Sequence, residues 1–387
     1  MRTTLHAVGG TVAIGAYVLL VVPLSRIDAA RRRRRGQLPR IVWGPVPISN
    51  IQFSVRADRL AGYESASVVY SSYRTAEEAG FDRVLAPLFR LPVLRHLVPY
   101  GVFVWLGLRR DVFGFFFDGG FLGPTPWWRV ELPLLKLAGK RVVAYPYGGD
   151  ARLASQVRRR GRWNAYTDIS EHEEDRDEER VRERLAHFGR WADVILGFAD
   201  LVEDLPRCDG MILHPFDPKG WEPTPAQVPP PVVVVHAPNH RHYKGTRFLV
   251  DAVEALQQDG VSVELKLIEG MPIQEARRVY ATAHVIADQF LIGAYGLFAV
   301  EGMALGKAVI CFLSEQLATY HPEWTVAPIA NASPDDLVPV LRRLVSDDDY
   351  RSELARRGPE YVREFHSLER LSSQFDELYR RLWFSRS

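Results

Sequence analysis

The strongest constraint on the fold is a rhythm. Short apolar runs alternate with helical stretches, and the pattern occurs twice, on either side of one proline-rich break. In the first half the runs are "RIVWGPVP" (40–47), "ASVVYSSY" (66–73), "DVFGFFF" (111–117), "RVVAYPY" (141–147), "DVILGFA" (193–199) and "GMILHP" (210–215). Between them lie "SNIQFSVRADRLAGY" (49–63), with Ser49 as expected N-cap and Gly62 near the end, "RVELPLLKLAG" (129–139) and "EERVRERLAHFGRWA" (178–192). Runs of four to eight apolar residues alternating with helices predict a parallel, doubly wound sheet.

The break is "FDPKGWEPTPAQVPPP" (216–231), with five prolines in its last nine residues and no apolar period. It reads as a linker. Beyond it the rhythm restarts with "PVVVVHAPN" (231–239), "TRFLVDAVEALQQDG" (246–260), "VSVELKLIEG" (261–270), "HVIADQF" (284–290), "KAVICFL" (307–313) and "WTVAPIA" (324–330). Helices over 334–346 and 367–384 close the chain. The expected architecture is two Rossmann-like doubly wound domains, over 37–215 and 231–366. A linker at 216–230 joins them, and a C-terminal helix over 367–387 returns toward the first domain. A chain of 387 residues accommodates two such domains.

Ahead of the first strand stands "AVGGTVAIGAYVLLVVPL" (7–24), eighteen residues without a charge, followed by Arg31, Arg32, Arg33, Arg34 and Arg35. Residues 1–40 carry a formal +7, which leaves −5 for the rest of the chain. That asymmetry does not describe a uniformly basic nucleic-acid binder. A signal peptide, a buried core segment and a membrane anchor all fit the apolar run. Five consecutive arginines resist export and favour an anchor, with residues 1–36 as anchor and stalk and the rest of the chain on the cytoplasmic face. The arginines would also attract anionic lipid. Cys208 and Cys311 have no metal-ligand or disulfide spacing.

Ligands in open parallel sheets bind beyond the carboxyl ends of strands, so the loops there hold the candidate residues. In "HAPNHRHYKGT" (236–246), Arg241 and Lys244 precede a helix and form a candidate diphosphate clamp. "IEGMP" (268–272) offers Gly270 for close backbone approach. In "DQFLIGAYGLFAVEGMALGKAVI" (288–310), Gly293, Ala294, Tyr295 and Gly296 form a loop before a helix starting near Leu297. Glu301 follows on that helix among apolar neighbours, where a carboxylate can accept two hydrogen bonds from a ribose diol. In the first half, Gly44 and Asn50 in "GPVPISN" and Asp150 and Arg152 in "YPYGGDAR" are candidate acceptor-side residues. Asp150 is a candidate catalytic residue that would orient or deprotonate an acceptor hydroxyl, with a helix cap as the competing role. "DDD" (347–349) reads as an N-cap cluster, and "EHEEDRDEER" (171–180), including His172, as a solvated run.

The stretches "KGTRFLVDAVEAL", "YGLFAVEGMALGKAVI" and "SDDDYRSELARRGPEYVREFHSLERLSSQFDELYRRL" resemble, in order and spacing, the C-terminal domain of retaining GT-B glycosyltransferases of the Glu-x7-Glu group. The resemblance covers about 231–384 and is weaker over 40–215, in "GYESASVVYSSY" and "PYGGDAR". It implies that Arg241 and Lys244 hold the donor diphosphate and that Glu301 takes the nucleotide ribose. The first Glu of the pattern falls on Gly293, so the sugar-facing carboxylate is missing; Asp288 is the candidate substitute. It also implies transfer from a nucleotide sugar to a glycan or lipid-linked acceptor with retention, and no cofactor or metal beyond that substrate. A catalytically inactive nucleotide-sugar-binding scaffold is the alternative that the Gly293 departure suggests, and a sugar-nucleotide epimerase or hydrolase the next.

Overall fold

The computed structural model describes residues 2–71, 80–92, 94–169, 177–225 and 230–385. The end of the expected strand at 72–73, His172 with its charged run over 171–176, and residues 226–229 of the expected linker lie outside them. The chain divides into two compact units. Unit 1 comprises Met1–Arg152, Asp177–Ile212 and Leu368–Ser387, and unit 2 comprises Leu153–Arg176 and Leu213–Ser367.

Unit 1 is built on β1 (Ile41–Trp43), β2 (Ser65–Val69), β3 (Arg83–Val84), β4 (Val112–Phe115), β5 (Arg141–Ala144), β6 (Val194–Phe198) and β7 (Gly210–Ile212). Their order is β3-β2-β1-β4-β5-β6-β7, all parallel. β1, β4 and β6 are buried throughout, the signature of a sheet covered on both faces. Ser49 does not cap the helix Asn50–Leu60, because its backbone is already helical and its side chain makes no capping bond.

The C-terminal helix Leu368–Phe384 belongs to unit 1. Its apolar residues recur at helical spacing, so Leu371, Phe375, Leu378 and Trp383 face one side and are buried. Phe375 stacks on Trp43 at 5.7 Å between ring centroids, and Tyr63 donates to Asp376 at 2.8 Å. Side chains of that size each stabilise by about 1.5–3 kcal/mol when fully buried.

The apolar N-terminal run is helical. Arg2–Ala16, a π-helical turn at Tyr17–Val21 and Val22–Arg34 continue without a break. It is one helix long and apolar enough to cross a membrane by length and composition. It is not a detached stalk, because it packs along unit 1. Tyr17 stacks on Phe103 at 4.3 Å, Ser25 donates to the Gly107 carbonyl at 2.9 Å, and Trp127 donates to the His6 carbonyl at 3.2 Å. Close approach requires small residues: a Cβ on Gly10 would meet the Trp127 indole at 2.1 Å.

Unit 2 is built on β8 (Val232–His236), β9 (Val263–Leu267), β10 (Val285–Ala287), β11 (Ala308–Cys311) and β12 (Ile329–Asn331). The order is β12-β11-β10-β8-β9, again all parallel. The expected strand over 324–330 is shorter: Pro322–Val326 is a 3-10 turn, and pairing starts only at Ile329. Asp347 accepts from the Tyr350 N–H and so caps the helix Asp348–Phe365. Leu249, Val253, Leu256, Leu341 and Leu344 pack with the sheet residues Val234, Val285 and Ile310 into one core.

Candidate functional site

In unit 2 the strand order reverses at β8, with β9 on one side and β10 on the other. Open parallel sheets bind ligands beyond the carboxyl ends at such a switch point. The loops leaving β8 and β10 therefore define the site, and they carry the two stretches singled out from the sequence. His236, at the end of β8, ties the floor together. One ring nitrogen (Nδ1) donates to the Ala287 carbonyl at 2.7 Å, which leaves Nε2 to accept from Thr246 Oγ1 at 2.9 Å. Burial pushes this imidazole down to about 4, so it stays neutral and keeps that arrangement.

Lys244 ends the short helix Arg241–Lys244, and its ammonium lies 3.3 Å from Asp288 Oδ1 and also donates to Gln289 Oε1. Asp288 follows β10 and is 1% exposed; its other oxygen accepts the Gly296 N–H. Gly296 is the N-cap of the helix Leu297–Ala304. A Cβ there would stand 3.2 Å from Asp288 Oδ2 and 3.3 Å from Lys244 Nζ, so the bare backbone is what lets the helix start approach the ion pair. One cation, one carboxylate and one helix N-terminus thus meet at one point. The first two N–H groups and the dipole of that helix favour anions, as does Lys244.

Glu301 lies in the second turn of the same helix and is 8% exposed. Among the described residues its carboxylate has no hydrogen-bond partner. Burial first, and the Asp288 charge second, push it up to about 8, while Arg277 acts the other way. A carboxyl so nearly buried, with no protein donor on it among the described residues, is open to a ligand hydroxyl pair.

Several sequence expectations are redistributed. Arg241 is exposed and bound through two nitrogens to Glu269, while Lys244 turns to Asp288, so each cation has its own carboxylate. Asp288 pairs with Lys244 and caps a loop, which accounts for both its oxygens. Gly293 has φ +79, and a Cβ there would meet Ser314 Cβ at 2.9 Å, so this backbone is shaped for glycine and not for the Glu of the motif. Tyr295 does not line the site. It is 3% exposed, and its hydroxyl lies 3.0 Å from both Tyr361 and His366. Ala294 is buried and its carbonyl accepts from the Gln289 amide. Leu297 opens the helix, and Gly270, at φ +63, stands in open space.

In unit 1 the order reverses between β1 and β4. Gly44 and Asn50 follow β1; a Cβ on Gly44 would come within 2.0 Å of the Val68 carbonyl, and the Asn50 carbonyl accepts from the Tyr145 hydroxyl at 3.4 Å. Asp150 is not a free base. Its oxygens accept the N–H groups of Phe117, Tyr147 and Gly148 at 3.1, 3.0 and 2.9 Å, and it is 2% exposed. It holds the loop after β5, and burial with the nearby Asp118 pushes it up to about 7. Arg152 is consumed by Asp200, at 2.8 and 2.6 Å.

Two contributors escaped sequence reasoning. Gln289 positions Lys244 and the Ala294 carbonyl; its place beside Asp288 at a strand end was the available signal. The other is the segment from Leu153, expected in the first domain. Ala165 and Tyr166 pack with Tyr243 and Ile292, Trp163 stands edge-on to Phe248 at 5.1 Å, and Asp168 pairs with Arg247 at 2.6 Å. It braces the Lys244 loop. No local pattern announces a segment that leaves one half of the chain for the other.

Comparison with known proteins bears on the fold. The structure is similar to a sucrose-phosphate synthase from Thermosynechococcus elongatus at TM-score 0.57 and 16% identity, covering 90% of this chain and 99% of that one. It is similar to Anabaena HepE in complex with UDP-glucose at TM-score 0.55 and 13% identity, covering 88% and 99%. The fold is GT-B. An α-glucosyltransferase in complex with UDP and a mismatched DNA shares the GT-B likeness at TM-score 0.54 and 13% identity, over 88% and 99% of the chains. In sequence, 130 residues are 28% identical to a D-inositol 3-phosphate glycosyltransferase of Corynebacterium urealyticum, which is 33% of this chain. The chain spans 30% of the length of that curated relative. No family model matches this GT-B chain.

Proposed function

We propose that the protein is a glycosyltransferase that moves a sugar from a nucleoside-diphosphate sugar to a membrane-associated or cell-envelope acceptor with retention of configuration. The observation that carries this reading is the meeting of Lys244 and the Gly296 helix start at the switch point of unit 2, with Glu301 in the second turn of the same helix. A departing diphosphate develops negative charge, and a fixed ammonium with aligned N–H groups stabilises it without reorganisation. Glu301 would hold the ribose. Arg241, released from Glu269, would add a second cation. Two of the similar proteins carry UDP or UDP-glucose, which makes uridine diphosphate the first probe. The apolar N-terminal helix with its arginine-rich end supports a place at the cytoplasmic face of a membrane.

Uridine diphosphate should raise the melting temperature of the full chain, and Lys244→Ala should abolish that rise. No shift with uridine, guanosine or adenosine diphosphate would overturn the donor reading. The glycine at 293 favours one second reading, a nucleotide-sugar-binding scaffold without turnover. Nucleotide binding with neither hydrolysis nor transfer, across a panel of sugars and lipid acceptors, would decide for it.

A further inference from the structure

We infer that the N-terminal helix lies in the plane of an anionic bilayer, without crossing it, and that Arg26, Arg33, Lys136 and Arg141 together hold a lipid phosphate. The inference rests on the membrane association proposed above and not on sugar transfer.

The packing argues for the plane. Contacts with unit 1 run from His6, against Tyr100, through Tyr17 and Ser25 to Asp28, which pairs with Arg40. At about 1.5 Å per residue that is roughly 33 Å of helix, as long as the hydrocarbon core of a bilayer is thick. A spanning helix would draw the partners of that whole length into the hydrocarbon. Those partners belong to an open sheet domain, whose loops and edges have no place in lipid. The other face remains free and apolar: Val8, Val12, Leu19, Leu20, Leu24 and Ile27 are 59, 66, 74, 59, 54 and 48% exposed. A helix with one covered and one bare apolar face is suited to lie at the interface, inserted to a depth of about 5–10 Å.

The charges argue for the lipid. A cavity of about 240 Å³ is lined by Arg26, Ala29, Arg33, Lys136, Gly139 and Arg141. Four cations thus share it. Asp193 engages Lys136 at 2.5 Å and Arg141 at 3.2 Å. Among the described residues Arg26 and Arg33 have no carboxylate partner. The Arg33 guanidinium is held over the Trp383 ring at 4.3 Å, and its buried Nε has no hydrogen-bond partner among them. Arginine forks fit phosphate oxygens in two-point contacts. Arg26, Ala29 and Arg33, at i, i+3 and i+7, carry the cavity along one side of the same helix that bears the bare apolar residues. A free anion would use the cations and leave that face in water; a phospholipid uses both.

The test is flotation of the full chain with vesicles of phosphatidylcholine, with and without phosphatidylglycerol. Binding should need phosphatidylglycerol, and Arg26→Gln with Arg33→Gln should weaken it about thirty-fold, at about five-fold per arginine, with an unchanged melting temperature. Leu19→Gln with Leu20→Gln should also release the protein. For the plane, Thr3→Cys in a Cys208→Ser background should react with an impermeant maleimide added outside vesicles that carry bound protein. Binding to anionic vesicles that ignores both arginines would overturn the phosphate site alone, as would full displacement by inorganic phosphate at matched ionic strength. Shielding of position 3 from outside would overturn the in-plane helix. Failure to bind any vesicle would overturn the membrane association itself.

Discussion

Placing a carboxylate at position 293, where the resembled motif has one, should damage the protein. Gly293 has φ +79, in the left-handed region, where a residue with a Cβ costs about 1–2 kcal/mol. Its Cβ would also lie 2.9 Å from Ser314 Cβ, about 0.6–1 Å inside the usual carbon–carbon optimum. Ser314 has little room to retreat, because its N–H donates to the Gly293 carbonyl at 2.8 Å. Overpacking of that kind costs about 1–3 kcal/mol. The sum is about 2–5 kcal/mol, which in a unit of this size lowers Tm by about 4–20 °C. Gly293→Ala isolates strain and contact from charge, and Gly293→Glu adds the motif's carboxylate. Thermal unfolding by circular dichroism measures both, with nucleotide-dependent shifts beside them. Both variants should melt lower, and Gly293→Glu should gain no sugar turnover. An alanine variant that melts with the parent, or a glutamate variant with raised turnover, would refute the reasoning.

Two further outcomes follow from buried carboxyls. Glu301, pushed up to about 8, is protonated at neutral pH in the free protein, and a carboxylate accepts diol hydrogens better than a carboxylic acid. Affinity for uridine diphosphate, measured by calorimetry, should therefore strengthen as pH rises through about 8, and Glu301→Gln should flatten that rise. Asp58 accepts from Trp43 and Ser65 in the core of unit 1, and burial pushes it up to about 7, against about 3.9 in an unfolded chain. Between those values only the folded form holds the proton, so stability falls as pH rises from about 4 to about 7, by up to about 1.4 kcal/mol per pH unit. Asp58→Asn should remove that component from denaturant midpoints taken across the range.

Much of the fold was legible because its determinants are local. Runs such as "VVVV" before His236 and "AVIC" at 308–311 are apolar throughout, as strands in a covered parallel sheet must be, and strand boundaries shifted by only a few residues. The failure at 324–330 has a local cause as well: Pro322 starts a 3-10 turn where an apolar run suggested extended chain. The candidate residues Lys244 and Asp288 were picked out because their segments follow strands, and Glu301 because it follows a glycine-rich loop on a helix. Their partners were not, because ion pairs such as Arg241–Glu269 and Arg152–Asp200 join residues that are 28 and 48 positions apart.

The sequence alone determined the two-fold α/β rhythm, the apolar N-terminal run with its basic end, and the glycine-rich loop before the helix that carries Glu301. Periodicity, charge and turn chemistry are properties of neighbours in the chain. Tertiary structure decided what those pieces do. It turned Asp150 into a loop clasp by placing three backbone N–H groups around it, and closed position 293 to any side chain by setting Ser314 against it. It also laid the N-terminal helix along unit 1, where the small residues Gly10 and Gly107 admit close packing. A charge pattern states that a helix can meet lipid; only the packing states which of its faces is left to do so.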